Sequence, residues 1–93
     1  MRYQIWIEDK AKVEVRQLPG HMRQRIRRAI QGLGSEPRPH YSRKMRAPEE
    51  IKLELRRLRL DRWRVIYVVD EKSTQVGVLA VRKRPPYDYK DLP

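Results

Sequence analysis

The sequence predicts an α+β fold in which one antiparallel sheet is covered on one face by two helices. An apolar-polar alternation near the N-terminus is followed by two segments with apolar residues three and four apart, and then by three β-rich runs separated by turn signals. Strand, helix, helix and three hairpin-connected strands suit that layered arrangement. With 93 residues there is material for one core, so residues 1–93 read as a single domain.

Residues 3–7 (YQIWI) set Tyr3, Ile5 and Ile7 against Gln4 and Trp6, the period of a half-buried strand. Asp9 offers an N-cap to a helix with the stripe Ala11, Val15, Leu18, which Pro19 and Gly20 terminate. A second stripe, Met22, Ile26, Ala29, Ile30 and Leu33, leaves Arg23, Arg25, Arg27 and Arg28 on the solvated arc, and Gly34 closes it. Residues 35–50 contain three prolines and little apolar periodicity, which predicts a long basic loop. Residues 51–60, 63–70 and 75–84 then read as strands joined by a tight Asp61-Arg62 turn and a longer turn over 70–74. Apolar parity switches between Leu53/Leu55 and Leu58/Leu60, which predicts a bulge near Arg56 and Arg57 or a strand that starts there.

A formal net charge of +11 on so short a chain implies a polyanionic partner, because each cation that reaches a phosphate releases counterions. Nucleic acid leads that class, with an anionic membrane surface or an acidic protein as alternatives. The chain has no cysteine, and His21 and His40 are too far apart in sequence to suggest a metal site, so no cofactor is expected. The N-terminal apolar stretch is too short for a signal peptide or a membrane span, and a soluble cytoplasmic protein is the expectation. If the helices cover one sheet face, arginines at the strand ends line the other. Trp63 and Tyr67, beside Val65 and Val69, read as core.

The segment RLRLDRWRVIYVVDE, followed about ten residues later by LAVRKRPPYDY, resembles the C-terminal half of RelE/ParE-superfamily toxins. Leu18-Pro19 between the helices and Pro37-Arg38-Pro39 after them agree with that resemblance. It implies a four-stranded antiparallel sheet with two helices on one side, and an antitoxin as protein partner. RelE-like members cut mRNA in the ribosomal A site, whereas ParE-like members inhibit DNA gyrase without cutting RNA. A basic RNA- or ribosome-binding module without toxicity is a third possibility.

Metal-free RNA cleavage removes a proton from the ribose 2′-OH, stabilises charge on phosphorus and protonates the 5′-oxygen that leaves. Arginine suits the middle task, since its planar fork grips phosphate and its charge does not titrate away. The resemblance assigns the phosphate clamp to Arg64 and Arg84. Arg57 and Arg59 stand where RelE-like enzymes often have lysine, and arginine is a poor base, so Lys52 and Lys83 are the local lysines to consider. Tyr87 or Tyr89 stands near the family's functional tyrosine, as proton donor or stacking platform. Arg57, Arg59, Arg62, Arg82 and Lys52 complete the expected RNA-binding set.

Overall fold

The computed structural model describes residues 2–83. Its elements are β1 (Gln4–Ile7), α1 (Asp9–Arg16), α2 (Gly20–Gly32), β2 (Ser42–Met45), β3 (Glu54–Leu60), β4 (Trp63–Asp70) and β5 (Gln75–Lys83). They form a five-stranded sheet in the order β1-β5-β4-β3-β2. The α+β class and the single helical layer are as expected, but the sheet has one strand more than expected and is mixed. β1 runs parallel to β5, from Gln4 opposite Gln75 to Ile7 opposite Val78. Two helices separate β1 from the rest of the sheet, and such a crossover can return the chain in the parallel sense. No described helix is long and apolar enough to cross a membrane.

The extra strand, β2, lies within the predicted loop and pairs antiparallel with β3. Its sequence, SRKM, has no aliphatic alternation to betray it. Ser42 anchors it instead: its backbone N–H and its hydroxyl both donate to the Pro39 carbonyl, at 2.9 and 2.8 Å. The Pro-Arg-Pro segment before it is fastened to the sheet. Tyr67, fully buried, donates its hydroxyl to the Pro37 carbonyl at 2.7 Å. Arg38 grips Glu54 with Nε and Nη2 and reaches Glu71 at 2.6 Å, while Arg56 holds Glu54 from the other side at 2.7 Å.

These contacts give the domain a defined acid response. Arg38 above all, and Arg56 with it, hold the Glu54 carboxyl below its ordinary range; the Tyr3 hydroxyl, then Arg38, do the same for Glu71. A depressed folded-state pKa contributes stability that is complete above the unfolded value, about 4.3, and is lost as pH falls through the folded one. Urea midpoints should therefore fall as pH drops from about 5 toward 3. Glu54→Gln should flatten that fall; an equally steep decline in the variant would remove Glu54 as its source.

Both helices put their apolar stripes on the same sheet face. Ala11, Val15 and Leu18, with Met22, Ile26, Ile30 and Leu33, meet Leu58, Val65, Tyr67, Val69, Val76, Val78 and Val81 in one core. Asp9 is the first helical residue rather than the cap, a position taken by Glu8 without a side-chain cap bond. Gly34 follows the end of α2 as expected, but for its small size: a Cβ there would lie 3.2 Å from the Tyr3 carbonyl, and no glycine has positive φ.

The predicted bulge near Arg56 is absent. β3 and β4 pair without interruption from Glu54 opposite Val69 to Leu60 opposite Trp63. The apolar parity switches because both faces of β3 bury leucine: Leu55 lies opposite Val68 on the open face, and Leu58 opposite Val65 under the helices. The irregularity is in β5 instead, where Ile66 pairs with Ala80 but Tyr67 with Val78, leaving Leu79 unmatched.

Two turn residues adopt left-handed backbone. Asp61 has φ 59°, as a two-residue hairpin of mirror-image type requires, and Thr74 has φ 56°. Asparagine tolerates this region better than a β-branched side chain. Thr74→Asn is expected to add about 0.5–1 kcal/mol, or about 3–6 °C in Tm. An unchanged or lower melting temperature by calorimetry would contradict this.

Candidate nucleic-acid interface

The sheet face opposite the helices changes character along its strands. At one end Trp6, Gly77, Val68, Leu55 and Met45 lie in one cross-strand row. The next row on that face holds Ala80, Ile66, Arg57 and Arg43. Beyond it come Arg82, Arg64 and Arg59, paired directly across three strands. Neighbouring strands are about 4.8 Å apart, so three cationic side chains spring from a band about 10 Å wide.

The Leu79 bulge builds this row. In regular pairing Arg82 would share the side of Val76, Val78 and Ala80 and point under the helices. One extra residue reverses the alternation, so that Val81 enters the core and Arg82 joins Arg64.

Like charges directly opposite one another oppose pairing, and little nearby relieves them. Among the described residues no carboxylate pairs with Arg59 or Arg64. Glu54 is engaged by Arg38 and Arg56, Glu71 by Arg38, and Asp61 by Arg25 at 3.9 Å. Among the described residues Arg82 alone of the row has a partner, donating from Nε to Glu14 Oε2 at 3.3 Å. A polyanion laid along the row would turn mutual repulsion into attraction.

Of the residues singled out in the sequence, Arg57, Arg59, Arg64 and Arg82 come together on this face. Arg62 occupies the exposed hairpin tip one residue pair beyond the row. Lys52 is exposed and precedes β3, outside the row. Lys83 pairs with Trp63 and so shares the helix side, opposite to Arg64. Arg84, Tyr87 and Tyr89 lie outside the described residues. Around the arginine row the described open face presents no lysine, histidine or carboxylate, and the one carboxylate among its paired positions, Asp70 opposite Gln75, stands at the far end of the sheet, so the row can neutralise phosphate but has no proton acceptor beside it. No described cluster of histidine and carboxylate side chains suits a metal ion.

Sequence reasoning gave no role to Arg56 or Glu14. Arg56 faces Ser42 and Glu54 on the helix side, at 3.0 Å from the Ser42 hydroxyl and 2.7 Å from Glu54, and is part of the scaffold. A groove of about 380 Å³ floored by Ile5, Ile7, Val15 and Ile30 lies on the helix side, away from the arginine row. Its floor is apolar, and Lys12, Arg16, Arg27 and Gln31 at its walls provide no carboxylate or histidine for acid-base chemistry.

The sequence and the fold match known proteins. The model of the ParE toxin of type II toxin-antitoxin systems, parDE, matches residues 5–85. The chain belongs to this family, within the RelE/ParE superfamily of type II toxins. The archaeal RelE-RelB complex from Pyrococcus horikoshii OT3 contains a chain that superposes with a TM-score of 0.81 at 27% identity, covering 94% of this chain and 100% of that one. A chain of the RelBE2 toxin-antitoxin complex from Mycobacterium tuberculosis gives 0.74 at 21% identity, with 90% and 100% covered. The isolated E. coli RelE toxin gives 0.74 at 20%, with 95% and 90% covered. The last two likenesses bear on the fold alone. None of the curated proteins matches the chain.

Proposed function

We propose that this chain is a RelE-like toxin that stops translation by cutting mRNA on the ribosome. The observation that carries this reading is the Arg59–Arg64–Arg82 row, cationic and on the face the helices leave open. The row holds the scissile phosphate and its neighbour, with Arg64 and Arg84 as the clamp and Arg57, Arg59 and Arg62 orienting the strand. The 2′-oxygen attacks phosphorus and the 5′-oxygen departs, and the clamp neutralises the charge that gathers on the non-bridging oxygens. Tyr87 or Tyr89 donates to the leaving oxygen or stacks on a base. The group that takes the 2′-OH proton comes from the ribosome, which makes cleavage ribosome-dependent. The protein partner is a cognate antitoxin, as in the RelE-RelB assemblies whose toxin chain this one resembles.

The test is direct. Purified protein added to translating ribosomes should produce truncated transcripts, and Arg84→Ala should remove most of the cutting. Intact mRNA beside protein that still arrests growth would overturn the proposal. A second reading, gyrase inhibition without RNA cleavage, draws support from the lack of a proton acceptor beside the row among the described residues and from the family match. Loss of DNA supercoiling activity on addition of the protein, with mRNA whole, is the result that would favour it.

A further inference from the structure

We propose that Glu14 is a positioning residue that withholds Arg82 from the arginine row, so that α1 sets how many cations of the open face are available to RNA. This rests on the reading of that face as a phosphate-binding surface. The pairing register puts Arg82 beside Arg64 on the open side, yet its guanidinium is drawn around the sheet edge to Glu14 Oε2, at 3.3 Å. The carboxylate is itself held firmly. Its other oxygen, Oε1, accepts the Val81 backbone N–H at 2.8 Å, at a stretch of β5 that β1 no longer covers, since the parallel pairing ends at Ile7 opposite Val78.

The two ends of this contact differ in mobility. The Glu14 side chain is 20% exposed and that of Arg82 is 56% exposed, so Glu14 is the fixed point and Arg82 the arm. An exposed pair with a single contact of this length is weak. A phosphate over Arg64 competes for the guanidinium with its acceptor oxygens and the charge of a polyanion, but the fixed carboxylate keeps Arg82 at the edge of β5. Once the Glu14 charge is removed, Arg82 swings to the row and makes a further phosphate contact. Whatever displaces α1 from the edge of β5 alters the same balance.

The test uses the full chain, a 20-nucleotide oligouridylate probe and binding measured across a salt series. Glu14→Gln keeps an acceptor for the Val81 N–H but removes the charge that holds Arg82. It should tighten binding by about two- to fivefold and steepen the salt dependence by about 0.7, the increment for one more phosphate contact on a single strand. In an Arg82→Ala background that increment should vanish, so that Glu14→Gln added to Arg82→Ala changes nothing.

A gain that persists without Arg82 would overturn the proposal, because it would show a general effect of the lost negative charge. So would a variant that melts earlier but binds with unchanged slope, since Glu14 would then serve only the strand edge. The underlying reading fails separately: an Arg59→Ala/Arg64→Ala variant that binds the probe like wild type removes the phosphate surface itself. Loss of binding there, with an unmoved Glu14→Gln slope, refutes the positioning role alone.

Discussion

Arg64→Ala is expected to slow the proposed ribosome-dependent cleavage by about 10²–10³-fold, the cost of removing one charged group that stabilises a transition state, while leaving Tm close to wild type. Arg64 sits in the centre of its row, between Arg59 and Arg82. No described carboxylate pairs with it, so truncation orphans no partner. It also relieves repulsion from two neighbours, and stability should hold or rise slightly. Single-turnover cleavage of a programmed ribosome complex, read beside a thermal melt, separates the two quantities. Arg28→Ala, on the exposed arc of α2, provides a control of equal charge change. Equal losses in both variants would mean that net charge, not the row, carries the activity.

Gly77→Val is expected to be the most damaging single change to the fold among those considered, at about 3 kcal/mol or more. Gly77 lies on the open face beside Trp6, and a Cβ built on it would fall inside the indole ring. Valine favours strands, so propensity predicts a gain where packing predicts a loss. β1 and β5 meet at this position, and moving the ring strains that pairing. Urea denaturation should show the midpoint lowered, and adding Trp6→Ala to Gly77→Val should recover part of the loss. A fully stable Gly77→Val protein would show that the ring has room to turn aside.

Much of this architecture is legible in the sequence, for identifiable reasons. The stripes of both helices and the runs of β3, β4 and β5 carry periodic burial, and their boundaries fall close to those expected. β2 carries none, since its anchor is the hydroxyl of Ser42 rather than an apolar side chain. The parallel closure of β1 on β5 is equally silent, because local pattern does not encode which distant strand will be a neighbour. The misplaced bulge has a related cause. Parity of apolar residues locates a bulge only when one face is polar, and the open face is itself apolar at Leu55 and Val68.

The candidate site divides in the same way. Alternation alone puts Arg57, Arg59 and Arg64 on a common face. Arg82 joins them only through the bulge, and its tie to Glu14 spans 68 residues of sequence, a relation visible only in the folded chain. Lys83 illustrates the reverse, since its neighbours in sequence suggested chemistry and its register directs it to the other side.

The parallel pairing of Gln4 with Gln75 also sets an order of events during synthesis. A sheet in which β1 waits for β5 cannot close until residues 75–83 have left the ribosome, and so long a loop closes slowly. The strand that completes the sheet is the one that brings Arg82 to Arg64. A nascent or truncated chain therefore lacks both its finished core and its assembled cationic row, and the two arrive together.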